Sequence, residues 1–268
     1  MFSFLEVAPM SLLKLFSTVL LAGSSLALSS AWAETGALAR TLAGVKPSVV
    51  GVGTYQKTRS PSIVFRGTGF VVADGLSVIT NAHVVPELLD TENKEVLGIV
   101  VGRGTEIEFR PAELVRTDRE HDLAHLRLVG AALPALKLGD SGAVVEGQSL
   151  AFTGFPLGMT LGLFAATHRA TLAAITPVVM PSLSSRNLNV KVLAQLQRSP
   201  FSIFQLDGTA YPGNSGSPVY DPDSGEVLAV INMVFVKGLK ETAITNPSGI
   251  AYAIPARFVH DLLQQKSP

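Results

Sequence analysis

From Ser48 onward the chain runs as short apolar stretches cut by turn residues, a spacing that belongs to strands rather than helices. Residues 49–54 are strand-like. Residues 70–73, the pair Asp74-Gly75 and residues 76–79 read as a hairpin closed by a tight primed turn. Residues 95–101 and 106–116 continue the pattern. Over residues 119–128, Ala124, Leu126 and Leu128 share one parity while His125 and Arg127 share the other, the period of a half-covered strand. A stretch rich in Gly, Asp and Ser around residues 138–146 interrupts the series. A second set follows at 148–152, 163–175, 201–206 and 227–231, with a turn around residues 221–225 in which Gly225 is expected at a positive φ. Helical spacing is confined to the ends, weakly over residues 35–45 and again over 258–263. The pattern predicts an all-β protein of many short strands, compatible with two closed barrels.

Segment by segment, residues 1–33 read as a signal peptide, 34–47 as an N-terminal arm, 48–142 and 143–256 as the two β units, and 257–268 as a C-terminal helix and tail. The signal reading rests on Lys14, an apolar run over residues 15–28, and the small-x-small site Ala31-Trp32-Ala33, which would leave Glu34 as the new terminus. Met10 is a plausible start. A membrane anchor is the competing reading, but the apolar run is shorter than the ~20 residues a spanning helix needs.

Composition narrows the function classes. Lys+Arg and Asp+Glu are both 21, so net charge is zero and no basic stretch points to nucleic acid. There is no cysteine in the 268 residues, which excludes disulfides, a cysteine nucleophile and cysteine-based zinc sites.

The candidate chemistry lies in three segments. Ser215 sits in Tyr211-Pro212-Gly213-Asn214-Ser215-Gly216-Ser217-Pro218, where glycines let the backbone turn sharply and aim successive N–H groups at one point. A serine needs a base to take its proton. His83, in Thr80-Asn81-Ala82-His83-Val84-Val85 at the end of a strand pattern, is the candidate base. Asp122 falls on the apolar parity of its strand, where a carboxylate wants a specific partner such as a histidine N–H. Asp118 shares that parity and is the second candidate. The chain order His, Asp, Ser is that of the chymotrypsin arrangement. His121 and His125 would lie ~13 Å apart on a strand, too far for one ion, so no metal site is expected. His168, beside Arg169, reads as a surface side chain, and His260 as solvated on the C-terminal helix.

These segments, with Arg66-Gly67-Thr68-Gly69-Phe70, Leu138-Gly139-Asp140-Ser141, Gly154-Phe155-Pro156-Leu157-Gly158 and Gly249-Ile250-Ala251-Tyr252-Ala253-Ile254-Pro255, resemble the trypsin-like serine proteases of the bacterial HtrA/Deg type and, more loosely, the glutamyl endopeptidases. The resemblance spans about residues 45–260. It implies two six-stranded antiparallel β-barrels with a site in the cleft between them. It also implies hydrolysis of polypeptides by Ser215, His83 and Asp122, an oxyanion hole made by the amides of Gly213 and Ser215, and no cofactor. It puts the primary pocket at Thr209 and Ala210, walled by Asn232, Met233 and Val234. A neutral Thr209 argues against cleavage after Lys or Arg, and Asn232 stands where glutamyl endopeptidases carry a histidine, leaving a small or medium apolar P1 residue. The residues 230–234 are expected to pair with an extended substrate. The resemblance further implies a homo-oligomer such as a trimer, and the signal reading, with cleavage near Ala33, implies a periplasmic or secreted protein. Ser217 departs from the usual glycine and would be strained at a positive φ. Only about thirteen residues follow Pro255, so no PDZ domain is expected. The long connection Pro177–Pro200 reads equally as a regulatory loop or a plain insertion. Two functions compete: an exported serine endopeptidase, and a protease-fold binding or chaperone-like protein with a latent triad. A membrane-tethered protease is a weaker third.

Overall fold

The computed structural model describes residues 36–160, 162–177, 201–232 and 249–265. The expected signal peptide, residues 178–200 of the long connection, and the pocket residues Met233 and Val234 lie outside these. Six strands form the first barrel: β1 (Val49–Tyr55), β2 (Ile63–Val72), β3 (Ser77–Asn81), β4 (Val96–Arg103), β5 (Glu106–Asp118) and β6 (Leu123–Leu128). They close in the order β1-β2-β3-β6-β5-β4. The second contains β7 (Ser149–Gly154), β8 (Ala166–Pro177), β9 (Ser202–Asp207), β10 (Pro218–Tyr220), β11 (Val227–Asn232) and β12 (Ile250–Pro255), closed as β10-β11-β12-β9-β8-β7. The ladders between these strands are antiparallel, and closure removes the open edges that would invite other chains. Helix α1 (residues 36–45) precedes the first barrel. Helix α2 (Arg257–Gln264) follows the second and packs against β5, β6 and β12. Among the described residues, no helix is long and apolar enough to cross a membrane.

Several strands are apolar on both parities for a physical reason. Val71 and Val78 point into the first barrel with Val50, Val52, Ile99 and Leu126. Their neighbours Phe70, Val72 and Ile79 point the other way, into a second core shared with Phe155, Tyr220, Val230, Val259 and Leu262. That shared core is the seam between the barrels and helix α2. The interior of the second barrel forms a third cluster around Phe152, Leu172, Leu206 and Ile231. Phe70, Ile79 and Phe152 are fully buried. Each such side chain contributes about 1.5–3 kcal/mol of burial, which a chain without disulfides needs.

One turn differs from expectation. The β2–β3 connection is not a two-residue Asp-Gly turn. It spans Ala73 to Leu76, with positive φ at Ala73 (55°) and Gly75 (80°), and the Asp74 carboxylate caps the Leu76 amide at 3.1 Å. The extra residues arise because the aspartate side chain substitutes for a backbone acceptor. Gly225 adopts the expected positive φ, 76°.

Candidate active site

Strand β3 delivers Asn81 to a single 3-10 turn, Ala82–Val84, on which His83 stands. Arg66 fixes that turn by donating from Nε to the Val84 carbonyl at 2.9 Å. Asp122 lies one residue before β6, in a left-handed conformation (φ 53°) that aspartate tolerates better than most residues. Its backbone carbonyl accepts from the Ala82 amide and from Asn81 Nδ2, both at 3.0 Å. Its carboxylate faces the histidine: the His83 amide donates to Oδ1 at 2.9 Å, and the ring Nδ1 is 2.6 Å from Oδ2. An ionised carboxylate only accepts, so the imidazole proton is assigned to Nδ1, leaving the Nε2 lone pair to act as a base. His83 is an exposed residue, with 29% of its side chain open to solvent, and Asp122 is the more covered partner, at 17%.

Asp118, the second candidate for this role, is occupied elsewhere. Its Oδ2 lies 2.6 Å from Nδ1 of His121. Burial raises the Asp118 pKa, but hydrogen bonds from the His121 ring and amide more than offset this and hold it below the usual carboxylate range.

Ser215 comes from the second barrel, in the loop between β9 and β10, and is 5% exposed. Two glycines make the loop possible. Gly213 (φ 100°) and Gly216 (φ 87°) occupy conformations that L side chains avoid, and a Cβ on Gly216 would collide with the Thr68 carbonyl. Thr68 of β2 docks the loop onto the first barrel. Its amide donates to the Ser215 carbonyl at 2.8 Å and its hydroxyl to the Gly213 carbonyl at 2.7 Å. Thr80 braces it in turn, donating to the Thr68 carbonyl at 2.7 Å. Gly67 completes the fit, since a Cβ there would meet Val84 at 2.6 Å and the Ser215 carbonyl at 3.0 Å. The serine loop and the histidine turn therefore flank one glycine. Among the described residues, the Ser215 hydroxyl makes no hydrogen bond to the imidazole. Among the described residues, the amides of Gly213 and Ser215 donate to no backbone carbonyl.

A profile for the trypsin-like peptidase domain matches residues 67–230. The chain belongs to that family. Within it, the sequence is 30% identical to a DegP-like periplasmic serine endoprotease of Halomonas elongata, over 74% of this chain and 34% of that protein. It is also 30% identical to the mitochondrial serine protease HTRA2 of Drosophila persimilis, over 96% and 56%. The chain thus spans between a third and somewhat more than half of these relatives, which mark it as HtrA-type. The solved structure of Deg5 superposes with a TM-score of 0.60 at 21% identity, covering 85% of this chain and 92% of that one, a likeness of fold.

In this member of the trypsin-like peptidase family, Asn232 is fully buried, and its side chain is turned to the aspartate: Nδ2 donates to Asp122 Oδ2 at 2.8 Å. The pocket-wall expectation did not foresee this contact. Ala210 packs against the core of the second barrel. Strand β11 is flanked by β10 and β12. Ile231 donates to the Ser217 carbonyl and accepts from the Gly216 amide, so an extended substrate could add only beyond it. Ser217 is not at a positive φ, and the strain expected there is absent. His168 is not a surface side chain. It stacks on Phe152 (centroids 4.8 Å apart, 18° between planes), and burial pushes its pKa down. His121 sits in the turn before β6, not on the strand, and His260 is exposed. The residues missed from sequence were Thr68 as the inter-barrel dock and Asn232 as a carboxylate donor. The flanking Gly67 and Gly69 are the one local signal that something approaches Thr68 closely.

Proposed function

We propose that the protein is an exported serine endopeptidase acting on extended polypeptide segments. Ser215 attacks the scissile carbonyl. His83 accepts its proton through Nε2 and returns it to the leaving amine. Asp122 holds the ring in the Nδ1–H tautomer and stabilises the imidazolium. The amides of Gly213 and Ser215 receive the oxyanion; one such donor typically contributes ~3 kcal/mol to the transition state. No cofactor enters these steps. The observation that carries the reading is the 2.6 Å His83–Asp122 bond, made beside a serine loop that the first barrel holds in place through Thr68. In the pocket, Thr209 and Ala210 offer no charge, which favours an uncharged P1 residue of modest size. The N-terminal sequence supports export, in keeping with the description of the Halomonas relative.

The test is labelling with a fluorophosphonate probe together with cleavage of a peptide library by the purified protein. The expected result is probe attachment at Ser215 and cleavage after small apolar residues, with both lost in Ser215→Ala. A protein that binds unfolded polypeptide yet never reacts with the probe would overturn the reading in favour of a binding module.

A further inference from the structure

The turn that presents Asp122 contains a second carboxylate–imidazole pair. Asp118 Oδ1 accepts the amides of Glu120 and His121, both at 3.0 Å, so this carboxylate organises the turn by itself. Its Oδ2 takes the His121 ring at 2.6 Å. The ring then leaves its own turn and is gripped on its faces. Phe258 of α2 stacks on it, with centroids 3.8 Å apart and planes 19° off parallel. Phe201, the residue before β9, meets it edge-on at 4.5 Å and 67°. Phe201 and Phe258 also touch each other, at 5.4 Å and 76°, and the Arg257 guanidinium lies 4.6 Å from the Phe258 ring. Only 17% of the His121 side chain is exposed.

We infer that His121 is a positioning residue for Asp122. The reasoning separates two jobs. The backbone bonds to Asp118 Oδ1 already shape the turn, and they need no imidazole. What the ring adds is a lateral anchor, fixing the turn to the entry of β9 and to α2. Asp122 is the next residue, so the path of that turn feeds directly into the backbone that carries its carboxylate. The ring therefore adds an anchor on the N-terminal side of Asp122 to the bonds from Ala82, Asn81, His83 and Asn232 that hold the residue, and so helps set how Oδ2 meets His83 Nδ1. Its partners among the described residues are Asp118, Phe201 and Phe258, so it acts through Asp122 and not on the serine. A misplacement of about 1 Å in such a group can cost ~100-fold in rate. The inference rests on the catalytic reading of His83, Asp122 and Ser215.

The experiment uses the full chain with His121→Ala, His121→Phe (which keeps the aromatic packing and loses the donor), and Phe258→Leu. Two readouts are taken: peptide cleavage kinetics, and the low-field NMR proton of the His83–Asp122 hydrogen bond, the latter recorded also in a Ser215→Ala background. His121→Ala is expected to lower kcat about ten- to a hundredfold with KM changed less than about twofold, and to shift or broaden the low-field proton. His121→Phe and Phe258→Leu are expected to fall in between. Unchanged kcat and an unchanged proton in folded His121→Ala or His121→Phe would overturn the proposal and leave His121 as packing alone. The Ser215→Ala spectra keep the two readings apart. If the wild type proves unreactive, the proteolytic function fails, while the low-field proton still reports whether His121 positions Asp122.

Discussion

Asn232, from the second barrel, donates to the carboxylate of Asp122, from the first, at 2.8 Å. The acidic member of the site is therefore held from both sides of the seam: by the His83 turn in its own barrel, and by a fully buried amide across from it. Neither barrel alone supplies the full set of donors.

Replacing Asn232 with Leu keeps the branched heavy-atom shape, in a larger side chain, and removes the donor. Hydrogen bonds to charged groups contribute about 1.5–3 kcal/mol, and a carboxylate left short of one is free to turn from the histidine. The expected outcome is a fall in kcat of roughly ten- to a hundredfold, corresponding to that energy. Asn232→Asp should be worse, since it sets two carboxylates against each other. Steady-state cleavage and thermal melts of the purified variants check both points, the melts separating lost chemistry from lost fold.

Thr68→Val tests the dock. The hydroxyl both donates to the Gly213 carbonyl at 2.7 Å and accepts from the Phe155 amide at 3.1 Å. Valine leaves both groups buried without that partner, at a cost of about 1–3 kcal/mol each. Urea denaturation should show the loss. Because Gly213 belongs to the serine loop, the rate of fluorophosphonate labelling should drop as well. Stability lost with labelling intact would mean that the loop keeps its shape without the threonine.

Acid sensitivity should centre on Glu95. Its carboxylate accepts from Thr54 Oγ1 at 2.6 Å, from the Asp90 amide at 3.0 Å and from Arg59 at 2.7 Å. These bonds, with the Thr54 contribution first, push its pKa down to about 2 from 4.5. The folded state thus binds this proton less readily than the unfolded chain does. The resulting stability is complete above pH about 4.5 and is lost as pH falls toward about 2. Urea midpoints measured across that window should fall with acid more steeply in the wild type than in Glu95→Gln, which has no such proton to take up. Parallel curves would refute the assignment.

Much of the architecture was legible from local pattern. The strand periods and the terminal helices correspond to two six-stranded barrels flanked by α1 and α2. The glycines around Ser215 signalled a loop that only glycine can make, and Gly213 and Gly216 do sit at positive φ. Parity was less informative. It grouped Asp118 with Asp122, yet both lie where the strand gives way to a turn, and there alternation no longer sets direction. His168 looked exposed beside Arg169 because neighbours on a strand face opposite ways, and nothing local says which way is covered.

Sequence by itself determined the class of fold and supplied the candidate side chains of the site, because hydrophobic period, turn chemistry and the serine loop are properties of short segments. Tertiary structure alone decided the pairings: Asp122 with His83, Asp118 with His121, Asn232 across the seam to Asp122, and Thr68 to the serine loop. Those contacts depend on a left-handed residue at the end of a turn and on two barrels closing against each other. A hydrogen bond acts over about 3 Å, so a partner distant in sequence exists only once closure has brought it within that reach.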